Sequence, residues 1–430
     1  MNLLSLDGGG IRGVSQLIIL DEIMKRIQAK KQLPEVPKPY EYFHLIGGSG
    51  TGGLNAIMLG RLKMSTEDAL QSYNNLAAAV FSPDNHKPFY KDEKFKASTL
   101  KAEIKEIVKH SHGGYTGDES LLDPNAEKDS IGNFVCAKTT ANLESPQRFR
   151  TYAGLSNQGP DCKVWEAVRA TTATQKIFKS IMIAGLGEIS SLYTDAGFGH
   201  NNPSKEVREE AIDCSIGVFL SVGTGHPGPN GFQQPRGMRK FLPLLLLQTV
   251  TKIATDCESV SSDFTKQYDN SPGTYFRLNV THGTGVLEVD DWQEGGAVIL
   301  AHTSAYLREP NTSKIVEGVV ECLCSSPNMK RTHTLGTFGR IYLFRIYRLK
   351  ANMIIAGHIT SVSKPSMTFL PGSVLPLFTG CQQYLSELEK YFAPREKPWK
   401  RRLFLLHGMG GIDKSQIALK FVENMIESKE

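Results

Sequence analysis

Residues 47–53 combine glycine, serine and threonine in a pattern that could hold a nucleophile on a tight turn. Serine hydrolases of the G-x-S-x-G type carry the serine on a sharp turn from a strand to a helix. The outer glycines of this pattern are Gly48 and Gly52, and the position midway between them is Gly50. Ser49 lies one residue too early. The motif therefore predicts a nucleophile elbow whose central residue has no hydroxyl group.

The flanking residues support this interpretation. Residues 43–46 are typical of a buried strand, and residues 54–59 are typical of the helix that follows an elbow. If Ser49 were the central residue, the flanking positions would be Gly47 and Thr51, and a β-branched side chain would stand where the turn needs glycine. We expect an inactive or impaired site, with Ser49 as the alternative nucleophile.

A second glycine-rich turn follows the first predicted strand. It consists of Asp7, Gly8, Gly9, Gly10, Ile11, Arg12 and Gly13. Its spacing fits G-x-G-x-x-G, but the acidic residue that completes a dinucleotide site is not convincingly present. The N–H groups of consecutive glycines at a helix N-terminus can instead stabilise an oxyanion. In this second interpretation Arg12 adds positive charge or braces the turn.

A candidate base follows a strand-like segment at 191–194, in the turn Asp195, Ala196 and Gly197. A carboxylate in this position can take a proton directly from a serine. The alternative is an aspartate that only caps a turn. His200 could extend the set to a serine–aspartate–histidine triad, but a single histidine in a loop is more often a surface residue, and we assign it no role.

The predicted elements alternate between strands and helices. We predict strands at 2–6, 42–47, 148–153 and 217–222, and helices at 13–30, 52–63, 164–172, 293–307 and 312–323. This alternation indicates an α/β fold with a mainly parallel central sheet. Ligands in such sheets bind beyond the carboxyl ends of the strands, and both glycine-rich turns occupy that position.

The composition is that of an ordinary soluble globular protein. Of 430 residues, 40% are hydrophobic and 22% are charged, and the net charge is +5. The chain has no basic cluster interleaved with aromatic residues, so nucleic acid is not an expected partner. Seven scattered cysteines and the lack of a signal peptide predict a cytoplasmic protein, with peripheral attachment to membranes as a further option. We expect no cofactor and no metal site.

A third glycine-rich turn lies near the C-terminus, after a predicted strand at 403–406. Its phosphate-binding residues would be Gly408, Gly411, Lys414 and Ser415. The pattern nearly matches the P-loop G-x-x-x-x-G-K-[ST], but Asp413 replaces the last glycine and would repel phosphate. We therefore expect no useful nucleotide binding by this chain.

The order and spacing of 7–13, 48–52 and 195–197 resemble the patatin-like phospholipase family. Segments 165–174 and 220–225 are also similar to that family. The resemblance implies a three-layer α/β/α fold and a serine–aspartate dyad without histidine. It also implies hydrolysis of acyl esters in phospholipids or neutral lipids, without a metal or other cofactor.

The same resemblance implies roles for individual residues. The base is Asp195, and the oxyanion glycines are Gly8, Gly9 and Gly10, followed by Arg12 and Gly13. The nucleophilic serine of the family corresponds to Gly50. The expected function is a lipid acyl hydrolase impaired at this position. The alternative is a catalytically dead pseudo-enzyme that binds lipid or a protein partner.

The resemblance also predicts the domain organisation. We expect a patatin-like domain at 1–323, an irregular linker with a short helix at 324–400, and the truncated start of a P-loop module at 401–430. Residues 378–392 and the degenerate P-loop resemble the entry to the nucleotide-binding module of STAND-type receptors (NB-ARC or NACHT class). In the pseudo-enzyme alternative, the first domain is the effector of such a receptor.

Overall fold

The computed structural model describes residues 1–325, apart from 89, 127–130, 154–158, 186–189, 213, 227–253, 285–286 and 288–289. These residues belong to one compact unit. The predicted linker beyond residue 325 and the predicted P-loop module, with Gly408, Gly411, Lys414 and Ser415, lie outside the described residues.

The strands form one mixed, mostly parallel sheet. They are β1 Asn2–Leu6, β2 Leu45–Ser49, β3 Gly132–Thr139, β4 Asn142–Arg150, β5 Ile181–Ala184, β6 Ser190–Asp195, β7 Val218–Val222 and β8 Tyr275–Leu278. Neighbours follow the order β5-β6-β3-β2-β1-β7-β8, and β4 also pairs with β3. The pairs from β3 through β2, β1 and β7 to β8 are parallel, and the pairs that involve β4, β5 or β6 are antiparallel. The predicted α/β class with a mainly parallel sheet is confirmed.

Helices surround this sheet. In the described part of the chain, the helices of seven or more residues are α1 Val14–Lys31, α2 Gly50–Ala56, α3 Thr66–Val80, α4 Ala97–Ser111, α5 Val164–Thr171, α6 Ser204–Glu210, α7 Glu258–Gln267, α8 Trp292–Arg308 and α9 Pro310–Ser325. A 3-10 turn, Gly10–Gly13, leads into α1, and a π-helical segment, Ile57–Arg61, extends α2. No helix within the described ranges is long and apolar enough to cross a bilayer.

Two strands differ from the sequence prediction by three residues or more. The strand before the elbow begins at Leu45 rather than at 42, because the preceding Pro39–Glu41 forms a 3-10 turn whose first carbonyl accepts from Tyr42 and Phe43. β4 spans Asn142–Arg150 instead of 148–153, since it folds back on β3 directly after a tight turn.

The sheet buries apolar side chains on both faces, because successive residues of a strand point to opposite sides. The larger cluster, which also includes residues of α1, α2 and α5, contains Leu4, Ile46, Val135 and Leu220. The smaller cluster, which also includes residues of α6 and α7, contains Leu3, Leu45, Phe134 and Phe219. Helices therefore pack against each side of the sheet.

Strands β2 and β6 lie end to end along the same edge of β3. Cys136 of β3 pairs with Ser49 of β2 and also with Arg148 of β4. The next residue, Ala137, pairs with Asp195 of β6 and also with β4. Since a strand residue has one neighbour on each side, β4 occupies one edge of β3, and β2 and β6 share the other. Their carboxyl ends meet opposite β3 residues that are only about 3.3 Å apart along the strand.

Candidate active site

The predicted elbow lies at the junction of β2 and α2. Ser49 closes the strand in an extended conformation, with φ of −123° and ψ of 141°. Gly50 begins the helix with φ of +56°, in the left-handed region that favours glycine. A Cβ atom on residue 50 would lie 3.4 Å from Cα of Gly8, which is an ordinary contact. A side chain at position 50 would thus lie beside the first glycine-rich turn. It would strain the backbone, because φ is positive at this position.

The two outer glycines of the elbow are in close contact with backbone atoms. A Cβ on Gly48 would lie 2.2 Å from the carbonyl oxygen of Gly52, and one on Gly52 would lie 2.3 Å from that of Leu6. Neither position has room for a side chain. These contacts fit a turn that is centred on Gly50.

Ser49 is placed unfavourably for chemistry with Asp195. Its side chain is completely buried, and Oγ has no hydrogen-bond partner among the described residues. Residues paired across strands share a face, and Ser49 pairs with Cys136 whereas Asp195 pairs with the following residue. Ser49 and Asp195 therefore point to opposite faces of the sheet.

Asp195 ends β6 with its carboxylate largely buried. Burial raises its pKa to about 6, although the Thr174 hydroxyl, the backbone N–H of Gly197 and the nearby Lys138 ammonium oppose this increase. Oγ1 of Thr174 lies 3.3 Å from Oδ2 of Asp195. Ala196 is buried, and a Cβ on Gly197 would lie 2.8 Å from Oδ2. The carboxylate can thus serve as a base whose charge changes near neutral pH.

The end of α5 contacts both the elbow and the candidate base. Thr171 accepts the N–H of Gly50 at 2.9 Å and donates to the carbonyl of Cys136 at 2.6 Å. Three residues later, Thr174 contacts Asp195. Both threonines lie in the family-like segment 165–174, to which the sequence prediction gives no role. Their signal is the threonine-rich sequence at the end of the helix predicted at 164–172.

The first glycine-rich turn is held by side chains from distant segments. The N–H of Gly8 donates to the carbonyl of Asn201 at 3.0 Å, and the carbonyl of Gly8 accepts from Asn201 and from Thr224. The Gly8 N–H is thus engaged within the protein. Gly9 and Gly10 open the 3-10 turn, where a helix provides no acceptor for its first N–H groups, and they remain the better candidates for oxyanion donors.

Arg12 and Tyr73 brace the same turn. Nε of Arg12 donates to the carbonyl of Gly9 at 3.1 Å, and the Tyr73 hydroxyl donates to that of Gly10 at 2.6 Å. Of the two roles considered for Arg12, this contact fits the brace. Gly13 lies at the end of the 3-10 turn, where a Cβ would be 2.8 Å from the Tyr73 hydroxyl.

A buried ion pair anchors the start of this turn. Oδ2 of Asp7 lies 2.7 Å from Nη2 of Arg277 in β8, and the same nitrogen lies 2.6 Å from Glu258 of α7. Burial raises the pKa of Asp7 to about 6, and the Arg277 charge opposes the increase. Arg277 lies 270 positions further along the chain and has no local signal, so the sequence pattern does not predict its role.

His200 contacts Glu206, with Nε2 of the ring 3.6 Å from the carboxylate. Burial lowers the pKa of His200. This pairing gives no support to a triad with Asp195. Among the described residues, no group of three or more His, Cys, Asp or Glu side chains is arranged to hold a metal ion.

Comparison with known proteins identifies residues 4–207 as a match to the family model for patatin-like phospholipase. Human calcium-independent phospholipase A2-gamma is 26% identical over 311 residues, covering 65% of this chain and 34% of the relative. Phospholipase A I of Arabidopsis thaliana is 26% identical over 285 residues, covering 52% of this chain and 21% of the relative. Probable inactive patatin-like protein 9 of the same plant is 22% identical over 213 residues, covering 47% of this chain and 52% of the relative. The chain thus spans about a third of the human relative.

Proposed function

Because residues 4–207 form a patatin-like phospholipase domain, we propose that this domain binds the acyl ester of a lipid and that hydrolysis is impaired at Gly50. One observation carries the proposal. Gly50 stands at the centre of the elbow with its Cβ direction facing the glycine-rich turn, and glycine has no group that attacks a carbonyl. The ester substrate class is supported by the two relatives named phospholipases.

The surrounding groups fit ester chemistry. With a serine at position 50, Oγ would attack the ester carbonyl while Asp195 took the proton, and the N–H groups of Gly9 and Gly10 would stabilise the oxyanion. The departing alcohol would recover that proton. Water, deprotonated by Asp195, would then release the fatty acid from the acyl-enzyme. With Gly50 the first bond cannot form, and binding of the ester is what remains.

A working dyad of Ser49 and Asp195 has less support. Their side chains point to opposite faces of the sheet, and a register shift would disturb the contacts at Gly48 and Gly52. The pseudo-enzyme interpretation is therefore favoured over hydrolysis by Ser49. A link to a nucleotide-binding receptor rests on residues 378–392 and 401–430, which lie outside both the described residues and the matched region.

The test compares the unmodified full chain with Gly50→Ser and Gly50→Ala. The last two share the added Cβ and its backbone strain and differ only in the hydroxyl. We expect fatty-acid release from phospholipid vesicles, and labelling by a fluorophosphonate, only for Gly50→Ser. All three proteins should bind vesicles of a non-hydrolysable ether lipid. Release by the unmodified chain that disappears in Ser49→Ala would show that the proposal is wrong.

A further inference from the structure

A separate cleft of about 280 Å³ lies between the end of α3, residues 83–86, residues 94–95 and the start of α8. We call it the aromatic cleft. Its lining includes the aromatic rings of Phe81, Phe95 and Trp292, the imidazole of His86, and the charged side chains of Lys94 and Asp290. Aromatic faces combined with a carboxylate form an environment that attracts cations.

A cation of the chain already lies in this environment. The Lys94 ammonium is 2.5 Å from Oδ2 of Asp290 and 5.6 Å from the ring centroid of Phe95. The Asp290 side chain is only 7% exposed, whereas that of Lys94 is 49% exposed. The carboxylate is therefore a fixed part of the cleft, and the lysine can turn out into solvent when another cation takes its place.

The rings are held in place by their neighbours. Phe95 is buried and lies edge to face with Phe81 at 5.3 Å and with His86 at 4.5 Å between ring centroids. Trp292, at the first turn of α8, lies against Gly296, where a Cβ would be 3.7 Å from the ring. Such a site is formed before the ligand arrives, which reduces the entropy lost on binding.

We propose that the aromatic cleft binds a quaternary ammonium group in place of the Lys94 ammonium. A quaternary ammonium has no N–H groups, so it needs ring faces and a counter-charge rather than hydrogen-bond acceptors. The cleft supplies both with Phe81, Phe95, Trp292 and Asp290.

Direct contacts link the elements that line the cleft to segments next to both parts of the candidate active site. The N–H groups of Lys94 and Phe95 donate to the carbonyls of Lys176 and Ile177, in the loop that begins at Thr174 beside Asp195. On the other side, α8 contacts the glycine-rich turn, where a Cβ on Gly295 would lie 2.6 Å from Ile11. This position fits the choline headgroup of a lipid, and that assignment rests on the proposed ester-binding function. The proposal that the cleft binds a quaternary ammonium group does not depend on the ester-binding function.

The test titrates the full chain with tetramethylammonium chloride and with choline chloride by calorimetry, at constant ionic strength. We expect Asp290→Asn to weaken binding roughly tenfold or more and Lys94→Met to strengthen it severalfold. Asp92→Asn and Lys91→Met are the matched controls, because they make the same charge changes on exposed residues nearby that do not line the cleft. Both controls should bind like the unmodified chain.

Absence of binding by both the unmodified chain and Lys94→Met would overturn the proposal, as would equal affinities of Lys94→Met and Lys91→Met. Vesicles then identify the source of the cation. If Asp290→Asn loses attachment to phosphatidylcholine but not to phosphatidylglycerol vesicles, the ligand is a lipid headgroup. If it loses only choline binding, a free quaternary amine is the ligand. Neither result depends on fatty-acid release. The assay of fatty-acid release by Gly50→Ser tests the ester proposal separately.

Discussion

Gly50 donates its backbone N–H to Oγ1 of Thr171 across 2.9 Å, and this bond joins the elbow to α5. The first N–H groups of a helix have no acceptor within the helix. The Thr171 hydroxyl accepts the Gly50 N–H and donates its own hydrogen bond to the carbonyl of Cys136 in the central strand β3. A single buried side chain therefore links the elbow residue, which directly follows β2, to the neighbouring strand β3.

Thr171→Val removes both hydrogen bonds and keeps the shape of the side chain. We expect it to lower the free energy of unfolding by about 1–3 kcal/mol, because a buried N–H and a buried carbonyl lose their partner. Thr171→Ser keeps the hydroxyl and should cost less. Urea denaturation of the two variants measures the difference, and equal stability of the two would contradict the role given to the hydroxyl.

The activity of Gly50→Ser should depend on the ionisation of Asp195. Only the carboxylate form accepts the serine proton, and burial raises the pKa of Asp195 to about 6. Thus kcat/KM should rise with pH and level off above about pH 7. The Lys138 charge lowers this pKa, so Lys138→Met in the same background should move the rise to higher pH. A profile that is flat between pH 5 and 8 would argue against Asp195 as the base.

Local sequence patterns were sufficient to predict the turns of the candidate site. β1 spans Asn2–Leu6, as predicted from a short apolar run before three glycines. The prediction can centre the elbow on Gly50 because Gly48 and Gly52 are both in close contact with backbone atoms. Only glycine fits at such positions, so the spacing of the two glycines marks the turn. These features depend on a few neighbouring residues, which is why a single sequence reveals them.

The assembly of the site depends on contacts that a sequence does not display. The meeting of β2 and β6 along β3 follows from strand pairing between segments far apart in the chain. The side chains of Asn201 and Thr224 donate to the backbone carbonyl of Gly8 in the glycine-rich turn. Every residue type has such a carbonyl. No spacing rule marks such partners. The same limit explains why the engaged N–H of Gly8 was included among the predicted oxyanion donors.

Asp195→Asn should stabilise the fold, and more so at alkaline pH. The pKa of Asp195 is higher in the folded chain, at about 6, than in the unfolded chain, so the folded state holds its proton more tightly. Stability from this group is present below about pH 4 and is lost as the pH rises through about 6. The gain from Asp195→Asn at pH 8 should reach at most about 3 kcal/mol and should nearly vanish at pH 4. Unfolding curves at both pH values measure it, and a gain independent of pH would contradict the buried charge.

Arg277→Met should destabilise the chain by about 3–5 kcal/mol at pH 8, because it leaves the Asp7 carboxylate buried without its counter-charge. Without the Arg277 charge the pKa of Asp7 rises above about 6, so the loss should shrink as the pH falls from 8 towards 6 and protonation removes the unbalanced charge. In the double variant Asp7→Asn, Arg277→Met, the loss should be smaller than the sum of the two single losses. Lys163→Met is the control, since it breaks an exposed pair with Asp118 and should lower the stability far less than Arg277→Met does. Urea unfolding at pH 8 and pH 5.5 gives the four values, and a cost for Arg277→Met that stays constant between them would show that its contact with Glu258, rather than with Asp7, holds the glycine-rich turn.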